Sequence, residues 1–226
     1  MAPAPDQRPA VPARPPITPQ LLASGVVAIL RARSGERLRP VAEALAGAGI
    51  SCLELTLTTP GALDALREIR PVLDDTIAVG IGTVITAEQA AAVLEAGADF
   101  VVSPGVCADA TRRVVAAGVP CYPGAWTATE VLEAWSLGAS AVKLFPAATG
   151  GPRHLRDLRG PLPDIPLVPT GGVAIDDIAA YMRAGAVAVG LGGSLIGDAL
   201  DGGSPAGLAQ RATAALAAVT EGRGPG

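Results

Sequence analysis

Histidine is nearly absent from this chain of 226 residues: the one present, His154, sits close to Arg153 and Arg156. A catalytic metal centre is built from several imidazoles and carboxylates, so neither a metal nor any other cofactor is expected. Aromatics are also scarce, with two Trp, two Tyr and two Phe, and the 17 basic residues are outnumbered by 21 acidic ones, for a net charge of -4. Nucleic-acid binding needs a basic surface and stacking platforms, and this composition excludes it. Cys52, Cys107 and Cys121 are odd in number and show neither CxxC nor CxH spacing. They read as reduced core thiols in a cytoplasmic protein rather than as disulfides or zinc ligands. No apolar run reaches the roughly 18 residues that a membrane span requires. The opening MAPAPDQRPAVPARPP is broken by Pro and Arg, so residues 1–16 read as a disordered tail and not as a secretory leader.

What the chain does have is a repeat. Units of roughly 20 to 25 residues recur, each an apolar β-rich run, a Gly-rich or polar turn, then an Ala/Leu/Glu/Arg-rich helical stretch. The strand runs begin at Gly25 (GVVAILR), Ser51 (SCLELT), Thr76 (TIAVGIGT), Asp99 (DFVVSP), Val119 (VPCYPG), Ser140 (SAVKLFP), Pro166 (PLVPTGG) and Ala186 (AVAVGLGG). Capping boxes at Thr86–Gln89 and Thr127–Glu130 open two of the helices. Gly49, Gly97, Gly118, Gly138 and Gly185 stand where a left-handed cap closes a helix before the next strand. Strands alternating with helices pair in parallel through right-handed crossovers and are buried on both faces, which accounts for their continuous apolarity. Eight such units predict a single-domain α/β fold, a (β/α)₈ TIM barrel over residues 17–219. Residues 17–24 should form a short helix at the barrel floor, residues 204–219 a final outer helix, and residues 220–226 a loose end.

Sixteen of the 17 basic residues are arginines, and the only lysine is Lys143, in the middle of the sixth strand run. Arginine serves surface roles throughout, so one position needs a primary amine. Burial in a strand should depress the amine's pKa, and an uncharged amine is the nucleophile that turns a ketone into an imine. Glu54, flanked by Leu53 and Leu55 on the second strand, is the candidate acid and base for the proton transfers. It shares side-chain parity with Thr56 and Thr58. For Lys143 the alternative is a snorkelling side chain, and for Glu54 a structural ion pair with Arg31 or Lys143. Arg31, Thr83 and Thr170 close strands one, three and seven, where a guanidinium fork and hydroxyls suit an anionic substrate. Gly171-Gly172 and Gly192-Gly193-Ser194 follow strands seven and eight, the usual place for backbone amides to hold a phosphate. Gly80-Ile81-Gly82 lacks the third glycine of a dinucleotide fingerprint and reads as a site of close backbone approach.

With these residues placed, VAILR, LELTLTTP, GIGTV, VVSPG, PGAWTATE, AVKLFPA, VPTGGV and GLGGSL stand in the order of one family. Over roughly residues 17–197 the chain resembles the 2-dehydro-3-deoxy-6-phosphogluconate (KDPG) and 4-hydroxy-2-oxoglutarate (KHG) aldolases. The resemblance implies a metal-free class I lyase that splits a phosphorylated 2-keto acid to pyruvate and glyceraldehyde 3-phosphate. Lys143 would form the Schiff base and Glu54 move protons. Arg31, Thr83 and Thr170 would bind substrate, Pro104 and Phe145 would line the pocket, and Gly171, Gly172, Gly193 and Ser194 would hold the phosphate. A homotrimer is implied too. Several members carry an Arg four residues after the acid, where this chain has Thr58; others place that Arg at the end of strand one, as Arg31 stands here. Three further readings keep the same residues: a phosphogalactonate aldolase, a sugar-phosphate isomerase or epimerase, and a trimeric scaffold without turnover.

Overall fold

The computed structural model describes residues 14–224. The chain runs through α1 (Pro19–Ser24), β1 (Val26–Leu30), α2 (Leu38–Gly47), β2 (Cys52–Thr56), α3 (Ala62–Ile69), β3 (Ala78–Gly82) and α4 (Ala87–Glu95). It continues through β4 (Val101–Val102), α5 (Ala108–Ala116), β5 (Cys121–Tyr122), β6 (Gly124–Ala125), α6 (Ala128–Ser136), β7 (Val142–Leu144) and α7 (Ala147–Arg159). It ends with β8 (Leu167–Pro169), α8 (Ile178–Arg183), β9 (Val189–Leu191), α9 (Gly193–Ile196) and α10 (Pro205–Arg223). Every strand pairing is parallel, as strand–helix alternation requires. Both expected capping boxes are present, with Thr86 and Thr127 accepting from the Gln89 and Glu130 amides. Gly49, Gly97, Gly118, Gly138 and Gly185 all adopt positive φ.

The result is an α/β fold around a curled parallel sheet. Its ladder is drawn in two pieces, β5-β4-β3-β2-β1-β9 and β6-β7-β8, where one eight-stranded barrel was expected. The fifth strand is interrupted at Pro123, which has no N–H to donate, so Cys121–Tyr122 pairs with β4 while Gly124–Ala125 pairs with β7. At the other seam a single bridge, Thr170 to Gly190, joins the end of β8 to β9.

Side-chain parity divides the core. One cluster lies between sheet and helices. A second fills the concave side with Val27, Cys52, Ala78, Phe100, Ala141, Val168 and Ala188, one from each of seven strand runs, closed below by Leu21 of α1. Two residues further along these strands stand Ile29, Glu54, Lys143 and Thr170. Period-2 alternation therefore carries them to the same concave side, one layer nearer the strands' C-terminal ends. The floor is fastened by Tyr122, whose hydroxyl accepts from the Thr18 amide at 2.9 Å and lies 2.6 Å from the Thr18 hydroxyl.

Both ends of the domain are longer than expected. Arg14 lies over the Trp135 ring, 3.2 Å from its centroid, and donates to the Trp135 and Ala139 carbonyls, so 14–16 are packed chain rather than tail. Residues 1–13, the rest of that expected tail, lie outside the described residues. Likewise α10 runs through 220–223, because Arg223 donates to the Leu22 and Ala23 carbonyls at the end of α1. Among the described residues no helix is long and apolar enough to cross a membrane.

Candidate active site

A cavity of about 520 Å³ opens at the C-terminal ends of the strands. Into it project Arg31 from the end of β1, Glu54 from β2, Lys143 from β7, Phe145 beyond it and Thr170 from the end of β8. Two glycine-rich loops complete one wall, Gly171-Gly172 after β8 and Gly192-Gly193-Ser194 after β9. Nine of the eleven residues expected at the site thus meet around one space.

Glu54 is 3 % exposed. Burial pushes its carboxyl above the ordinary carboxylate range, while the positive charges of Lys143 and then Arg31 pull it part of the way back. Among the described residues neither cation pairs with it within 4.0 Å, so the structural ion pair is not formed. A carboxyl raised by burial keeps its proton to higher pH than an exposed one, which suits a group that must both give and take a proton.

Lys143 is half-buried between two fully buried neighbours. Its Nζ lies 5.2 Å from the centroid of the Phe145 ring, within the range at which a ring face attracts a cation. The Phe145 ring in turn packs on Gly171, where an added Cβ would meet it at 2.7 Å.

Thr170 and Ser194 hold their protons inward. The Thr170 hydroxyl donates to the Val168 carbonyl at 3.2 Å and the Ser194 hydroxyl to the Val173 carbonyl at 2.8 Å. Each hydroxyl offers the cavity lone pairs, which for Thr170 replaces the donor the sequence suggests, and Ser194 ties the two glycine-rich loops together. Gly171 and Gly172 take φ of 90° and 73°, and among the described residues no protein acceptor takes a hydrogen bond from either amide. Backbone amides without a protein acceptor beside a cavity are available to an anion.

Thr83 and Pro104 fall outside the cavity lining. Thr83 is, among the described residues, the one non-glycine with positive φ, 65°, a strained conformation for a β-branched side chain; it turns the chain from β3 towards α4. Pro104 is exposed, and its carbonyl packs on Gly124. Conversely, Leu200 and Asp201 stand at the cavity rim in a short turn after α9. Nothing in the sequence pointed to them, because the chain breaks out of helix at Gly197 (φ 55°, ψ -128°) and their place at the cavity follows from that turn.

The remaining reactive side chains are accounted for by packing. His154 stacks on Trp126 at 4.2 Å and its Nε2 bonds the Trp126 carbonyl at 2.8 Å, so it is a structural residue. Burial raises the thiols of Cys52 and Cys107 and pushes that of Cys121 up to about 12, leaving them protonated and poor nucleophiles. Among the described residues no group of His, Cys, Asp and Glu converges as metal ligands do.

Known proteins resemble this chain over most of its length. The family model described as KDPG and KHG aldolase matches residues 17–202. The 2-dehydro-3-deoxy-phosphogluconate aldolase of Dickeya dadantii is 35 % identical over 205 residues, covering 89 % of this chain and 95 % of that protein. The enzyme of the same name from Pseudomonas aeruginosa is 42 % identical over 147 residues, 63 % of this chain. That alignment spans 65 % of the Pseudomonas protein, just under two thirds of its length. Among solved structures, the KDPG aldolase of Legionella pneumophila with pyruvate captured as a covalent carbinolamine superposes with a TM-score of 0.80. It is 31 % identical, over 86 % of this chain and 95 % of that one. The chain therefore belongs to the KDPG and KHG aldolase family, a family of lyases.

Proposed function

We propose that this protein cleaves 2-dehydro-3-deoxy-6-phosphogluconate to pyruvate and glyceraldehyde 3-phosphate through a Schiff base on Lys143, and accepts 4-hydroxy-2-oxoglutarate by the same route. The reading is carried by one observation: the chain's single lysine and a carboxyl raised by burial face one cavity.

The free amine of Lys143 attacks C2, and the carbonyl oxygen takes up a proton to give a carbinolamine. Glu54 protonates the departing hydroxyl, which leaves as water, and an iminium forms. The Glu54 carboxylate then accepts the proton of the C4 hydroxyl. As that C–O becomes a carbonyl, the C3–C4 bond breaks and its electron pair flows into the iminium, giving an enamine. Glu54 returns the proton to C3, water adds to the iminium carbon, and pyruvate leaves with the amine restored. One carboxyl thus serves every step, which favours a pKa near the working pH.

In this reading Arg31 binds the substrate's anionic end, with Thr170 beside it. The amides of Gly171, Gly172, Gly193 and Ser194 receive the phosphate, and Phe145 packs on the carbon chain. Thr83 and Pro104 keep roles only if substrate draws their loops inward. The two sheet segments act as one closed (β/α)₈ barrel forming a single domain: the Ser140 amide, just before β7, donates to the Cys121 carbonyl of β5 at 2.9 Å, and at the other seam the Val187 amide donates to the Leu167 carbonyl of β8 at 3.1 Å. The protein works in the cytoplasm as a homotrimer, needs neither metal nor cofactor, and has no nucleic-acid or membrane partner.

Reductive trapping tests the central step. Incubation with pyruvate and borohydride should add one pyruvate-derived mass on the peptide containing Lys143, and that lysine's uniqueness makes the assignment unambiguous. An unmodified Lys143 under turnover conditions would overturn the proposal.

A further inference from the structure

Three threonines at the end of β2 form a hydroxyl chain to which the chemistry above assigns no role. Thr56 and Thr59 are 0 % and 1 % exposed. The Thr59 Oγ1 accepts from the Ala32 amide at 3.0 Å. It also lies 3.3 Å from the Thr56 hydroxyl, which lies 3.1 Å from that of Thr58. Because Thr59 accepts from Ala32, its own proton is free to donate to Thr56, and Thr56 can donate onward to Thr58. The backbone of Thr59 is held as well: its amide donates to the Thr56 carbonyl at 2.9 Å and its carbonyl accepts from Ala62 at 3.2 Å.

Ala32 follows Arg31 directly. The side chain of Arg31 is long and exposed, so its aim depends on where the backbone launches it. At that point β1 has ended, and the next amide has left the sheet ladder. A second contact fixes the same loop further on: a Cβ on Gly35 would meet the Gly61 carbonyl oxygen at 3.2 Å and the Pro60 oxygen at 3.3 Å. The loop after β1 therefore rests on the loop after β2 at two places, and Thr59 supplies the hydrogen bond nearer the cavity.

We propose that Thr59 is a positioning residue for substrate binding. Its hydroxyl, oriented by Thr56 and Thr58, pins the Ala32 amide so that the Arg31 guanidinium meets the substrate anion. The proposal rests on Arg31 being that anion's ligand. It makes the β2 loop a determinant of affinity although no side chain of the three threonines lines the cavity.

A double-mutant cycle tests it, with kcat and KM measured on 2-dehydro-3-deoxy-6-phosphogluconate and a thermal melt run on each protein. Thr59→Val should raise KM roughly 3- to 10-fold, as expected for losing one hydrogen bond that organises a charged contact, with kcat little changed. Thr59→Ser should restore the parent KM. Arg31→Ala should raise KM at least as far, and adding Thr59→Val to it should change nothing further. Should Thr59→Val fail to fold, Thr59→Ala takes its place in the cycle. Full multiplication of the two effects, a Ser variant as impaired as the Val one, or a Thr59→Val KM equal to the parent's would each overturn the proposal. An Arg31→Ala protein with unaltered KM would instead sink the assignment of Arg31, and the role of Thr59 with it, at an arm of the experiment that does not involve Thr59.

Discussion

The carboxylate of Glu54 lies against the backbone of Gly82, so closely that a Cβ built on Gly82 would overlap its Oε1. The two residues sit on adjacent strands, Gly82 two residues beyond Gly80, the register partner of Glu54. The glycine on β3 is thus the space that the acid on β2 occupies. The same relation recurs at Gly190, whose missing side chain leaves room for Thr170, and at Gly80, which admits the Phe100 ring.

Gly82→Ala should therefore disable the site without unfolding the protein. The methyl group displaces the flexible end of Glu54 rather than backbone, so the melting temperature should change little. Loss of a correctly placed acid and base should lower kcat by about 10²-fold or more. Steady-state kinetics beside a thermal melt separates the two effects; full activity in a folded Gly82→Ala protein would contradict the placement.

Glu54 also predicts a pH dependence of stability. Its carboxyl titrates above the ordinary value of 4.5 because burial outweighs the pull of Lys143 and Arg31. Between the unfolded and folded values the native state holds a proton that the unfolded state has lost, so stability falls as pH rises through that window. Glu54→Gln removes this decline. The variant should gain in melting temperature relative to the parent as pH is raised from about 4.5, with the gain levelling off once the folded carboxyl is ionised. Parallel melting curves across the whole range would show that the carboxyl is not perturbed.

Much of this arrangement is legible in the sequence because it follows from period. Apolar strand runs alternating with helical stretches place Arg31, Glu54, Lys143 and Thr170 on or at the ends of parallel strands, and capping chemistry announces α4 and α6 through Thr86 and Thr127. What could not be read depends on register between strands distant in sequence. The pair Gly80 and Gly82 reads as close backbone approach, yet their partners are chiefly the side chains of Phe100 and Glu54, visible only once β2, β3 and β4 are aligned. Pro123 stands inside an apolar run that still reads as one strand, and its missing N–H matters only beside β4 and β7. The inward hydrogen bonds of Thr170 and Ser194 and the turned backbone of Thr83 are likewise local geometry that residue type does not reveal.

Far from the chemistry, Tyr122→Phe should loosen the floor. The lost hydroxyl leaves the buried Thr18 amide and hydroxyl without the partner they share, a cost of about 1–3 kcal/mol. The Tyr122 hydroxyl joins β5 to the segment before α1, whereas the cavity lies at the opposite ends of the strands. Denaturant unfolding should record the loss while kcat/KM stays near the parent value; a fall in kcat/KM at full stability would place Tyr122 in the reaction instead.

The glycine-rich wall makes a prediction about substrate choice. Gly172 has φ of 73°, and a Cβ there would meet the Ala148 methyl carbon at 2.6 Å, so Gly172→Ala must shift the loop whose amides are assigned to the phosphate. That loop is assigned to the phosphate end of the substrate and not to C2, so displacing it should weaken binding more than imine formation. KM for 2-dehydro-3-deoxy-6-phosphogluconate should rise by about tenfold or more, as for loss of charge-assisted hydrogen bonds. KM for 4-hydroxy-2-oxoglutarate, which has no phosphate, should move far less, and pyruvate trapping on Lys143 should be retained. Equal increases for the two substrates would mean that the Gly171-Gly172 amides do not read the phosphate, and the search for that contact would pass to Gly193 and Ser194 alone.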